Sequence, residues 1–141
     1  MRFYFDRTQS PYLARAAGEV LIFMGHTFDH SRRRYPDRDP GDIAWMRELG
    51  AEGDWVVITG DEAIRRNPDE RLAWRNMRLT TFFLQSGWMR ARVEEQAWRL
   101  LRWLPRLVEV AGNETVGTGL SVPLRWHGGA LKRVYSPGRS R

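Results

Sequence analysis

Short continuous apolar runs alternate along this chain with longer stretches in which apolar residues recur at helical spacing. Arg2-Phe3-Tyr4-Phe5-Asp6 is aromatic-rich and ends on a carboxylate, which predicts a buried strand stopping at Asp6. Ser10-Pro11 then reads as a helix start, with Ser10 as N-cap and Pro11 in the first helical position. Leu13, Ala16, Ala17, Val20, Leu21 and Met24 follow at helical spacing, and Gly25 is a natural terminator. His26 to His30 forms a second short strand in this reading. Residues 31–41 are polar, with two prolines and a glycine, and predict a loop. Asp42 opens a short helix with Ile43, Trp45, Met46 and Leu49 inward. Trp55-Val56-Val57-Ile58-Thr59 is the clearest strand, a continuous apolar run suited to a parallel strand covered on both faces.

The second half repeats the alternation. Asn67-Pro68-Asp69-Glu70 predicts a helix start, with Asn67 as N-cap and Glu70 completing a capping box. Thr80 to Leu84 is another apolar strand. An amphipathic helix is expected over about 88–111, interrupted or kinked near Pro105, with Trp98, Leu101, Leu104 and Val108 inward. Beyond Gly112 only Leu120-Ser121-Val122 and Val134 suggest extended structure. Strand and helix in regular alternation predict an α/β domain with a mainly parallel central sheet flanked by helices. The expected division is a catalytic domain over 1–111 and a basic C-terminal extension over 112–141, partly extended or disordered.

Composition sharpens this. The 141 residues suit one domain, and the absence of cysteine excludes a disulfide scaffold, a thiolate metal site and a cysteine nucleophile. The net charge of +6 is unevenly placed: no acid follows Glu114, so residues 115–141 carry +5 and the rest only +1. Lys132 is the single lysine among 23 bases. Arginine binds phosphate and carboxylate in bidentate fashion, so the bias fits a polyanionic partner as well as an arginine-rich proteome. The longest apolar run, Val20 to Met24, is far below the ~20 residues of a membrane span, and no signal pattern precedes it. A cytoplasmic protein with no membrane role is expected.

The chemistry turns on the carboxylates. Asp6 ends the first strand and Asp61 lies just past the third, and ligands of open parallel sheets bind outside the carboxyl ends of the strands. Asp42, at the start of a helix entering that region, is a third acid. Without cysteine or spaced histidines, three acids favour a hard cation, Mg²⁺ or Mn²⁺, over zinc. Asp42 and Asp61 are each equally natural helix N-caps, and both readings stand.

Phe5-Asp6 with Ser10-Pro11, Gly25-His26, Asp42-x-x-Trp45, Val56 to Asp61 and Ile64 to Pro68 resemble PIN-like domains, in particular those grouped with VapC-type toxins. The likeness runs on through Phe82 to Leu84, Gly87-Trp88 and Glu95-x-x-Trp98 to Pro105, with Thr59-x-Asp61 its most specific element. The resemblance implies a metal-dependent endoribonuclease, often a toxin neutralised by a cognate antitoxin. It assigns Asp6, Asp42 and Asp61 to an Mg²⁺ or Mn²⁺ site and Thr59 to orienting them. Two departures stand out. The strand at Thr80 to Leu84 is followed by no acid, so that three carboxylates suffice, or Asp29, Asp37 or Asp39 contributes a fourth, or the site is weak; and Arg7 directly follows Asp6, where it contacts phosphate or competes for the carboxylate.

Arg65 and Arg66, just after Asp61, are candidate RNA contacts together with Arg7, while Arg32 to Arg34 fit an ordinary solvated surface equally well. The seven tryptophans fall mostly on apolar faces and read as core. An aspartyl phosphotransferase is disfavoured because Thr8 stands where its second carboxylate belongs, and a receiver domain because no lysine follows a late strand before Lys132. The alternative function is a non-catalytic RNA- or protein-binding module with a degenerate site. An antitoxin or a second copy of the chain are the expected protein partners.

Overall fold

A computed structural model describes residues 1–138. Six strands form one sheet in the order β2-β1-β3-β4-β5-β6. They are β1 (Arg2–Phe5), β2 (Thr27–His30), β3 (Trp55–Thr59), β4 (Thr80–Leu84), β5 (Gly119–Val122) and β6 (Lys132–Tyr135). The first five are parallel, and β6 closes the edge antiparallel to β5. The helices are α1 (Pro11–Phe23), α2 (Ser31–Arg34), α3 (Asp42–Glu52), α4 (Ala63–Arg66), α5 (Pro68–Met77), α6 (Ser86–Arg90) and α7 (Val93–Asn113). The α/β architecture with a mainly parallel sheet is the one the alternating pattern predicts.

Alternate strand residues feed two cores, as the two-residue side-chain period of a strand requires. Phe3, Phe5, Val56, Ile58, Phe82, Leu84, Leu120 and Val122 pack beneath α1 and α7. Tyr4, Trp55, Val57 and Phe83 point the other way and pack with Trp45, Met46 and Leu49 of α3 and Trp74 of α5. Both faces of the inner strands are therefore dry, and β3 and β4 are buried along their whole length.

The break in the last helical stretch falls away from Pro105. Ala91 and Arg92 are extended and separate α6 from α7, whereas α7 continues without interruption through the proline. Pro105 is on the exposed side, where water can serve the carbonyl its missing N–H leaves free. The buried stripe is also rotated from the expected one. Leu100, Trp103, Leu104, Leu107 and Val110 face the core, while Trp98 is 51% and Leu101 38% exposed. Trp98 instead carries the guanidinium of Arg99 over its ring at 4.4 Å.

Residues 119–135 enter the sheet itself. β5 lies between β4 and β6 and is buried throughout, with Gly119 pressed against the Trp74 ring. Leu120 and Val122 face α7 on the α1 side; on the other face Gly119 meets Trp74 of α5 and the Ser121 hydroxyl accepts from the Gln85 amide at 3.1 Å. Arg139 and Arg141 of the basic tail lie outside the described residues.

Candidate metal centre

In this strand order the direction of winding reverses between β1 and β3, the position where open α/β sheets bind ligands beyond the strands' carboxyl ends. Asp6 and Asp61 emerge there, from adjacent strands. Phe5 pairs with Ile58, and the Asp6 N–H donates to the Ile58 carbonyl at 3.4 Å, so the two strand ends are tied at one level.

Asp42, Asp61 and Glu70 come together at this edge, each offering an oxygen within 4.8 Å of the others'. Three different elements supply them: the first turn of α3, the segment after β3, and the first turn of α5. Asp42 is not itself the N-cap, a position held by Gly41. Its Oδ1 accepts from the Trp45 indole at 2.9 Å, which fixes the carboxylate one turn into the helix. Asp61 is not the N-cap of α4 either, a position held by Glu62. Its Oδ1 accepts from the Ala63 N–H at 2.9 Å, and the same carboxylate joins the cluster. Burial, then the proximity of the other acids, raises both carboxyl groups above the usual aspartate range: Glu70 acts on Asp42, and Asp42 on Asp61.

Glu70 is the residue the sequence reading assigns to a capping box. The Asn67 side chain does cap α5, accepting from the Asp69 and Glu70 N–H groups at 3.0 and 3.2 Å. A capping box also requires the acid to reach back to the Asn67 N–H. That N–H already donates to the Ala63 carbonyl at 2.8 Å, because α4 runs directly into the cap. Glu70 is thereby free to face Asp42 and Asp61. The signal missed is the short helix α4, whose bond removes the capping role.

Asp6 sits beside this group and is only 3% exposed. Its Oδ1 accepts from the Thr8 N–H at 3.1 Å and from the Thr8 hydroxyl, and its Oδ2 from the Thr59 hydroxyl at 2.5 Å. Three of roughly four lone-pair sites are used, leaving about one on Oδ2. Burial pushes its pKa up to about 6 against the pull of the two hydroxyls, and the nearby Asp42 charge adds to the rise. Thr59 links the strand ends further: its hydroxyl donates to Asp6 while accepting from the Asp61 N–H at 2.9 Å.

The other sequence candidates lie elsewhere. Asp39 pairs with Arg7 at 3.3 Å, so Arg7 engages that acid rather than Asp6. Asp29 accepts from the His30 N–H and lies 4.0 Å from Arg33, and Asp37 is exposed in the loop. None of these three belongs to the cluster. Arg65 is held by Glu62 at 3.1 Å, and Arg66 is exposed beside it.

The donor set fits a divalent cation. It is all oxygen, as hard ions require, and two bonds of about 2.1–2.5 Å from one ion span the separations found between the carboxylates. No helix among the described residues is long and apolar enough to cross a membrane.

A parallel sheet with acids converging at its switch point is the arrangement of a PIN-like nuclease fold. The family model for the PIN like domain matches residues 1–86, and the chain belongs to that family. The match holds β1 to β4 and all four acids of the site. No curated protein and no solved structure matches the chain.

Proposed function

We propose that the protein is an Mg²⁺- or Mn²⁺-dependent endoribonuclease acting as the toxin of a VapBC-like pair. The observation that carries the nuclease reading is the convergence of Asp42, Asp61 and Glu70 at the switch point, with Asp6 at its side. In this reading Asp42, Asp61 and Glu70 hold the ion, and Asp6 offers its remaining Oδ2 position. A divalent ion bound there activates water and offsets charge on the scissile phosphate. Thr59 fixes Asp6 and Asp61 relative to each other, as outer partners of metal ligands do. Arg65 and Arg66 meet the strand beside the acids. Arg7 joins them by exchanging Asp39 for phosphate, an exchange opposed by only about 0–1 kcal/mol for an exposed pair. Hydrolysis forms a bond from water oxygen to phosphorus and breaks the phosphorus–oxygen bond to the leaving strand, which takes up a proton.

The toxin role rests on the family likeness and implies a cognate antitoxin. Tyr12 and Phe23 of α1, 75% and 91% exposed, give such a partner, or a second copy of the chain, apolar side chains to cover. The test is cleavage of a mixed RNA pool by wild type, Asp61→Asn and Glu70→Gln, with Mg²⁺, with Mn²⁺ and with EDTA. Cleavage abolished by chelation and by either substitution is the expected result. Cleavage that survives them refutes the site, and metal-independent RNA binding without cleavage replaces the nuclease with a binding module. Growth arrest on expression, relieved by the product of a neighbouring gene, tests the toxin role separately.

A further inference from the structure

A cavity of about 490 Å³ opens between α4 and α5 on one side and the β5–β6 hairpin on the other, and Glu62 and Arg71 of its wall directly follow Asp61 and Glu70 in the chain. On this face of β5, opposite α7, Gly119 lies under the Trp74 ring and Ser121 reaches the cavity. Glu62, the residue after Asp61, is the one acid on its wall; Arg65, Arg66, Arg71, Arg75 and Lys132 are the bases. Arg65 is paired with Glu62, but among the described residues the other four cations form no ion pair. Aromatic rings hold two of the guanidinium groups in place: Arg65 lies 5.4 Å from the centre of Phe83, and Arg75 4.4 Å from that of Tyr135. Residues 1–114 carry a net charge of only +1, so this concentration of like charge is local. Its self-repulsion is relieved by a polyanion.

Helix α5 faces two ways. Glu70 turns to the acids, while Arg71, Trp74 and Arg75, at helical spacing, line the cavity. A strand lying in the cavity therefore runs along the helix whose first turn carries Glu70. We propose that this groove binds the phosphate backbone of single-stranded RNA, and that the C-terminal hairpin, through Lys132, forms its second wall. The identity of the polymer rests on the nuclease reading; the groove itself does not. Arginine forks match phosphate oxygens. A cleft of this size admits one strand, whereas duplex RNA is recognised across a wide, shallow groove. With no base-sized aromatic platform fully exposed in it, the groove reads backbone rather than sequence.

The experiment is fluorescence anisotropy of the full chain with a labelled single-stranded 2′-O-methyl oligoribonucleotide in EDTA, from about 50 to 200 mM salt. Each cation removed lowers the slope of log K against log salt by about 0.7 for a single strand. Arg71→Gln with Lys132→Gln is thus expected to lower the slope by about 1.4 and weaken binding about 25-fold near 0.1 M salt, alike for different sequences. Lys132→Gln alone, at an exposed position, is expected to lower it by about 0.7 without disturbing the fold. Arg15→Gln, exposed on α1 across the sheet, is the unchanged control. Unaltered affinity and slope in both groove variants overturn the proposal. So does equal binding of duplex RNA, of polyglutamate matched in charge, or of inorganic phosphate alone. Metal-free binding that follows these slopes, with no cleavage on adding Mg²⁺ or Mn²⁺, supports the groove and refutes the nuclease reading. Metal-dependent cleavage with unaltered binding does the reverse.

Discussion

Replacing Asp6 by asparagine should make the metal-free protein more stable. Asp6 is almost fully buried, and its pKa is raised from the usual 3.8 to about 6. The unfolded chain therefore releases this proton at lower pH than the folded one. Between those two values the folded state binds more protons, so stability falls as pH rises through the window. The full penalty, reached above pH 6, is ~3 kcal/mol at ~1.36 kcal/mol per pH unit. Asparagine keeps the shape and carries no charge. Its carbonyl can accept from Thr8, and its amide can donate to the Thr59 hydroxyl, which is free to rotate. With an unfolding entropy of ~0.3 kcal/mol/K for this length, the variant should melt about 10 °C above wild type near pH 7.5. The difference should fall to about half near pH 5, where much of Asp6 remains protonated. Calorimetric unfolding in EDTA at both pH values measures this directly. A variant that melts at or below wild type at pH 7.5, or a difference that does not shrink toward pH 5, refutes the account of Asp6 as a charge held against its surroundings.

Adding Mg²⁺ or Mn²⁺ should raise the melting temperature of wild type, by ~2.7 kcal/mol equivalent at a hundredfold excess over Kd, and Glu70→Gln should reduce the rise to a small fraction. Because Asp42 and Asp61 hold protons above the usual range, metal binding near pH 5 should release protons and release fewer at pH 8, which calorimetry in buffers of different ionisation enthalpy reads out. Gly119→Ala places a Cβ within 2.6 Å of the Trp74 ring and 3.3 Å of Phe83, so denaturant unfolding should show a loss of about 1–3 kcal/mol.

The alternation of apolar runs and helical spacing reveals the sheet because each inner strand is buried on both faces. The run Trp55 to Thr59 has no polar face to reveal, and its length alone marks it as a strand. The acids Asp6 and Asp61 are legible for a related reason: a carboxylate that directly ends or follows a buried run must lie at the sheet's edge. Glu70 is not legible, since its position in a capping sequence has a sufficient local explanation, and only the Asn67–Ala63 bond, made by a four-residue helix, cancels it. The inward stripe of α7 is missed by a rotation because apolar residues stand on more than one face of this helix: Trp98 and Leu101 show helical spacing as good as that of the buried Leu100, Trp103 and Leu107. Lys132 reads as tail charge until β5 and β6 bring it opposite Arg71, a proximity that no local pattern encodes.

The place of β5 bears on how the protein is made. All four acids have been synthesised by residue 70, but β4 must wait for its neighbour until residue 122, with α6 and α7 between them. Until then β4 carries an open hydrogen-bonding edge, and Phe83 faces a partly built core, the state in which a nascent chain is most prone to mispair. Non-local pairing of this kind is slow to form. The strand ends that carry Asp6 and Asp61 thus stand on a completed parallel sheet only about 50 residues after the last of the four acids has been made.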